Sequence, residues 1–315
     1  MHLVSRYTRP EGAGVRYNPG MVRPASSCLA LFLACLSVSS CPGLDKRDVE
    51  YSRPNGKPLL LDIHTPEGAG PFPGAIVVHG GGFDQGNQRS YVGPVLAVLS
   101  KAGFAWFSVD YRLAPGAHFP EPVDDVNNAI RWVKAHAAEY HVDPSKIALV
   151  GESAGAYLIT YAATHETPET RLAATVDFYG PTDYARLALL RRDHPERFGM
   201  ESANKHLANG GGIAFFGLKN LDEPGGLERL HQASAINAVH KGMAPFLILH
   251  GTADDQVAYE LSPSMCDALR KATVSCDLIT IPAGHHGMGS WAQTSDPEAW
   301  KIGLVAWLKK TLSLN

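Results

Sequence analysis

Cysteine is scarce, charge is thin and balanced, and no apolar run is long enough to span a bilayer. Each shortage removes a class of protein. Among 315 residues there are 5 cysteines, and no Cys or His spacing matches a zinc site. Three of them (Cys28, Cys35, Cys41) fall in the first 41 residues. Cys266 and Cys276 remain in the body, where a bridge in an oxidising compartment and two buried free thiols are both open readings. Charged residues make up 19%, with a net charge of −3. Short basic clusters such as Arg191-Arg192 are broken by acids, so nothing resembles a nucleic-acid footprint. Fixed-period repeats and low-complexity tracts are missing too, which sets aside solenoids and disordered tails. What is present is a hydrophobic fraction of 45%, enough for a buried core.

The first fifty residues differ from the rest. A basic start at Met21-Val22-Arg23-Pro24 leads into the apolar stretch Cys28–Leu36 and then the small residues Ser37–Cys41. That order reads as a secretory signal, with translation expected to start at Met21, and the apolar stretch is too short to span a membrane. Val38-Ser39-Ser40-Cys41 also looks like a bacterial lipobox, in which Cys41 becomes the lipidated first residue. The competing reading, a buried N-terminal helix, lacks a cap, a periodic polar face and a stop signal. We expect a leader over 1–44 and a single domain over 45–315. The protein is then exported in a bacterium (periplasmic, extracellular or lipid-anchored), touching membrane only through an N-terminal lipid.

From about residue 48, short apolar runs alternate with helical patterns. Strands are expected at Leu59–Ile63, Gly74–Val78, Phe104–Val109, Lys146–Val150, Ala174–Tyr179, Pro245–Leu249 and Asp277–Ile281; several are β-branched runs bounded by Gly or Pro, as buried parallel strands are. Val126, Ile130, Val133 and Ala137 repeat at helical spacing and predict a helix over about 122–140. Further helices are expected over Ala154–Thr164, over Ser262–Ala272 and around Trp300, Leu304, Trp307 and Leu308. The alternation implies an α/β fold: a mostly parallel central sheet with helices on both faces. The stretch 185–233 breaks the rhythm and reads as a small cap insertion.

Chemistry concentrates in three places. Gly151-Glu152-Ser153-Ala154-Gly155 matches G-x-S-x-G between a strand and a helix, the context a nucleophile elbow requires. Ser153 is the candidate nucleophile. His79-Gly80-Gly81-Gly82-Phe83 follows a strand and offers bare N–H groups for an oxyanion, which we assign to Gly81, Gly82 and Ala154. No Gly-Lys-Ser/Thr follows, so a phosphate loop is set aside. His79 is expected to order this loop through hydrogen bonds. A serine needs a base and an acid in the order Ser, Asp, His. His250-Gly251-Thr252-Ala253-Asp254-Asp255 lies beyond a strand and supplies the acid: Asp254, with Asp255 the fallback, the unused one being a helix cap. Gly284-His285-His286-Gly287 follows the last strand, and His286 is favoured over His285 as base.

Taken together, His79–Gly82, Asp110-Tyr111-Arg112-Leu113-Ala114-Pro115 with Phe119-Pro120 and Asp125, and Gly151–Gly155 resemble the hormone-sensitive-lipase-like esterases. The closest flavour is that of secreted bacterial esterases related to bifunctional feruloyl and acetyl-xylan esterases. The resemblance covers about residues 50–312. It implies an α/β-hydrolase fold, metal-free acyl-enzyme chemistry without cofactors, and a catalytic Ser153, Asp254 and His286. Two departures stand out: Glu152 where many lipase-like members carry Asp, and Met288 for the usual aromatic. Arg112 with Asp110, Asp124 and Asp125 is expected to brace the oxyanion loop, and Asp183 to be structural.

The function so implied is a serine carboxylesterase acting on short-chain acyl esters, including acetyl or feruloyl esters of plant polysaccharide. Its partners are small-molecule or polysaccharide esters, with no nucleic acid. A serine peptidase or amidase of the same fold is the alternative, usually built with a propeller or large cap for which this chain lacks room. A catalytically dead binding module would be expected to have lost the serine, the histidine or the glycines. All are present.

Overall fold

β-Branched and aromatic runs bounded by Gly and Pro set the strand pattern, and the sheet they build carries everything else. The computed structural model describes residues 42–199 and 211–314. The signal and lipobox expected up to Cys41 lie outside the described residues. Eight strands, β1 (Leu44–Ser52), β2 (Leu59–Thr65), β3 (Phe72–Val78), β4 (Ala105–Val109), β5 (Val142–Glu152), β6 (Ala174–Phe178), β7 (Phe246–Gly251) and β8 (Cys276–Ile281), form one sheet in the order β1-β2-β4-β3-β5-β6-β7-β8. β2 runs antiparallel to β1 and β4. The pairs from β4 across to β8 are parallel.

Alternation along the central strands feeds two cores. Ile76, Val78, Ile147 and Leu149 point to one face, where they meet α2 (Glu121–His136) and α3 (Ala154–Thr164). Ala75, Val77, Ala148 and Val150 point to the other, against α1 (Gly93–Lys101) and α8 (Ala299–Thr311). The apolar stripe on α2, with Val126, Ile130 and Val133 fully buried, is the one expected from its spacing.

Over the site end of the sheet lie α4 (Tyr184–Asp193), α5 (Gly211–Phe215) and α6 (Gly226–Gln232). Phe215 stacks on Phe83 of the Gly-rich loop, with centroids 4.0 Å apart. Burying a side chain of that size contributes about 1.5–3 kcal/mol, so the small cap is anchored to the loop it overlies. α7 (Leu261–Lys271) is joined to β8 by a disulfide between Cys266 and Cys276, which decides the reading that composition left open.

Several boundaries differ from the sequence reading. β1 was not expected as a strand: its polar, charged sequence LDKRDVEYS leaves only Tyr51 buried. α1 was not expected either: it carries Pro94 at its start, and its buried stripe of Val95, Val98 and Leu99 is confined to 9 residues. The helix expected over 122–140 ends at His136, and β5 starts at Val142, absorbing Asp143-Pro144-Ser145.

Candidate active site

Four loops meet at the C-terminal ends of parallel strands β3, β5, β7 and β8, where open α/β sheets gather reactive groups. Ser153 sits between β5 and α3 with φ of 52° and ψ of −117°, a left-handed conformation that costs a non-glycine residue free energy. The flanking glycines are obligatory for steric reasons. A Cβ at 151 would strike the carbonyl of Gly155, and one at 155 would strike the carbonyls of Val78 and His79.

The structure brings the expected residues together. His286 Nε2 lies 2.9 Å from Ser153 Oγ, and His286 Nδ1 lies 2.7 Å from Asp254 Oδ2. A carboxylate only accepts, so the proton belongs on Nδ1 and the Nε2 lone pair faces the serine hydroxyl. Backbone N–H groups of Gln256 and Val257 each donate to Asp254 Oδ1 at 2.8 Å. Burial alone would raise the Asp254 carboxyl, but the charge of His286 and hydrogen bonds from two histidines outweigh it and hold it well below the usual carboxylate range. Burial likewise works to lower His286, and Asp254, helped by Glu152, reverses that and raises it above 6.5.

The alternatives separate cleanly. His285 is exposed and its carbonyl accepts from Trp291 Nε1 at 2.9 Å. Asp255 lines the pocket but is not the helix cap we expected, since α7 begins at Leu261 after Glu260. Its carbonyl accepts instead from Gly199 N.

Opposite Ser153, Gly81 and Gly82 take φ of 99° and 65°, which only glycine adopts without strain. Their N–H groups donate to no other group among the described residues. With Ala154 they line the pocket around Ser153, a cavity of about 870 Å³. His79 orders the loop through a hydrogen bond, as expected, and through stacking, which was not expected. Its ring donates from Nδ1 to the Gly80 carbonyl at 2.7 Å, while Nε2 has no partner among the described residues; the ring also stacks on Tyr111 at 4.4 Å. Burial pulls its pKa down to about 4.

The expected brace is real but redistributed. Arg112 binds Asp125 through Nε and Nη2, and Glu121 through Nη1. Asp124 is exposed and takes no part. Asp110 instead accepts from the Leu60 N–H at 2.7 Å, and burial pushes its carboxyl up to about 7. Tyr111 carries the brace to the loop, its hydroxyl donating to the carbonyls of His79 and Gly80. Asp183 caps α4, accepting from Arg186 N.

Three contributors escaped the sequence reading. Glu152 Oε1 accepts from Gly80 N at 2.5 Å, tying elbow to oxyanion loop, and burial raises its carboxyl. The Tyr179 hydroxyl accepts from Met288 N at 3.0 Å, and its ring meets His286 edge-on at 4.8 Å. His250, wholly buried, presents Nε2 to Asp254 Oδ2 at 3.2 Å and to the Val257 carbonyl at 3.1 Å, with Nδ1 2.6 Å from Ser262 Oγ. A strand-end histidine four residues before the acid was the only signal for it. Among the described residues no group of three or more His, Cys, Asp or Glu side chains is arranged to hold a metal ion.

The family model described as BD-FAE matches residues 61–269, a span containing the elbow, the oxyanion loop and the acid. The chain belongs to the BD-FAE family. Among its relatives is a probable carboxylic ester hydrolase, LipM, of Mycobacterium tuberculosis, 29% identical over 85% of this chain and 58% of that protein. The chain therefore spans less than two thirds of that relative's length. An ethyl acetate hydrolase of Pseudomonas putida is 27% identical over 79% of this chain and 78% of its own. Of solved structures, a propionate-bound thermophilic esterase of Thermogutta terrifontis superposes with a TM-score of 0.61 at 25% identity, covering 85% of this chain and 94% of that one. The α/β-hydrolase fold expected from the motifs is thus the fold of this BD-FAE member.

Proposed function

We propose that the protein is a serine carboxylesterase that hydrolyses short-chain acyl esters through an acyl-enzyme. One observation carries the reading: Ser153 Oγ, His286 and Asp254 form a continuous hydrogen-bonded line, at 2.9 and 2.7 Å, facing free glycine N–H groups. His286 Nε2 removes the Ser153 proton as Oγ attacks the acyl carbon. The tetrahedral oxyanion lies against the amides of Gly81, Gly82 and Ala154. His286 then protonates the departing alcohol, and a water, deprotonated by the same ring, releases the acid.

The relatives favour esters over amides, as both named above are ester hydrolases. Membership of the BD-FAE family supports acetyl or feruloyl esters of plant polysaccharide as natural substrates, and the ethyl acetate hydrolase and propionate complex support a short acyl group. We also propose an exported enzyme, a reading supported by the leader composition and by the Cys266–Cys276 bridge, a bond characteristic of oxidising compartments.

The test is hydrolysis of a nitrophenyl ester series by the full chain beside its Ser153→Ala variant, followed by acetylated and feruloylated xylan. The variant is expected to lose at least about a thousandfold in kcat/KM, with turnover falling as the acyl chain lengthens. Equal activity in the two proteins overturns the nucleophile; preference for long chains overturns the substrate class.

A further inference from the structure

Arg191, on α4, is an arginine that the fold shields and leaves without a counter-charge among the described residues. It lines the pocket that holds Ser153 and His286. Its Nε is inaccessible to solvent and has no hydrogen-bond partner among the described residues. Nη2 donates to the Gln256 carbonyl at 2.6 Å, and the guanidinium sits 5.8 Å from the Phe198 ring. Nη1 makes no hydrogen bond to the described residues. No carboxylate among the described residues lies within 4.0 Å of it, although Asp255 and Asp84 line the same pocket. Arg131, Arg186 and Arg229 also lack an acid at that distance among the described residues, but they are exposed to solvent. Burial pulls the Arg191 pKa down, against the opposing pull of Tyr184 and Asp254.

A guanidinium stays charged throughout the ordinary pH range and presents five donors in a rigid plane suited to carboxylate oxygens. Arginines that brace this fold are used that way: Arg112 grips Asp125, and Arg47 and Arg89 grip Asp62. Arg191 has the same chemistry with one backbone carbonyl to satisfy it, and it is held in place by the triad-acid loop. The cavity, at about 870 Å³, has room for a group well beyond an acetyl.

Resting on the esterase reading above, we propose that Arg191 selects ester substrates that carry a second, free carboxylate, such as a half-ester of a dicarboxylic acid or an ester borne on a uronic acid or aromatic acid. The carboxylate docks on Nη1, the nitrogen left without a partner among the described residues, while the ester lies at Ser153.

The experiment uses two matched pairs with the full chain. Nitrophenyl hemisuccinate and nitrophenyl levulinate differ by a carboxylate on the acyl side; 4-acetoxybenzoate and 4-acetoxybenzamide differ by one on the alcohol side. The readout is the ratio of kcat/KM for the charged over the neutral member, in wild type, Arg191→Gln and Arg191→Lys. In at least one pair the ratio is expected to fall about ten- to a hundredfold in Arg191→Gln, the range of a charge-assisted hydrogen bond, and to fall less in Arg191→Lys. A circular dichroism melt of each variant reports whether it folds, and if Arg191→Gln does not, the Arg191→Lys ratio decides. Ratios unchanged by substitution, because both members fall together or neither does, overturn the inference, as does a wild type that turns over only the neutral esters. A wild type that turns over none of the four, nor nitrophenyl acetate, defeats the esterase reading itself.

Discussion

His286 is useful only while Nε2 is unprotonated, and its surroundings work against that. Asp254 and Glu152 together raise its pKa above the ordinary 6.5 despite burial. The proton therefore stays on to a higher pH than in a free histidine, and activity should fall as pH drops through a midpoint above 6.5. A pH profile of kcat/KM checks this; an acid limb in the carboxylate region would remove His286 as base. Replacing Asp254 by Asn takes away the charge that does the raising. Asp254→Asn should lose about 10³–10⁴-fold in kcat, and its remaining activity should show an acid limb shifted to lower pH. His250 holds the same carboxylate from behind, which makes Asp254 a shared acceptor fixed by four donors.

At the scale of elements, the β1–β2 hairpin is pinned by charge more than by apolar contact. Asp62, 1% exposed, accepts from Arg47, from both Nε and Nη2 of Arg89, and from the Asp48 N–H. Burial works to raise its carboxyl, and those donors bring it down to about 2. The folded value lies below the unfolded one, so the stabilisation is complete above the unfolded pKa and is lost as pH falls from there towards 2. It amounts to about 2 kcal/mol. Urea unfolding of Asp62→Asn should show that loss at pH 7, and a shallower fall in stability than wild type below pH 4. This hairpin is also where the sequence was hardest to read. Asp45, Lys46, Arg47, Asp48 and Glu50 have no strand periodicity, and their pairing with β2 depends on residues such as Asp62 and Arg89 that are distant in sequence. The central parallel strands were legible because β3, β4, β6 and β7 and the second half of β5 are buried on both faces and so read as largely apolar runs. The elbow, oxyanion loop, acid and base were legible because each follows such a strand within a few residues. Tyr179 and Arg191 were not, since an aromatic at a strand end and a basic residue on a polar helix carry no local mark of what they face.

Across the whole molecule, the last strand and the helix before it are linked twice, by the apolar cluster that Met265 and Leu269 share with Leu278, and by the Cys266–Cys276 bridge at a separation of 10 residues. A bridge closing so short a loop stabilises by about 3 kcal/mol, chiefly by restricting the unfolded chain. Cys266→Ala/Cys276→Ala should lower the unfolding free energy by about that amount and leave turnover of nitrophenyl acetate near wild type at 25 °C. A variant as stable as wild type would show that the bridge does not form in solution. Among the described residues no helix is long and apolar enough to cross a membrane.

The 133 positions separating Ser153 from His286 have a consequence for synthesis. If Ser153 and His286 act as proposed, a nascent chain carries its nucleophile long before its base exists, because His286 follows the final strand of the sheet. Any product truncated before Gly284 contains Ser153 but not His286, the residue proposed to deprotonate it. On the proposed mechanism, hydrolytic competence is acquired late, and incomplete chains are expected to be inactive wherever they are made.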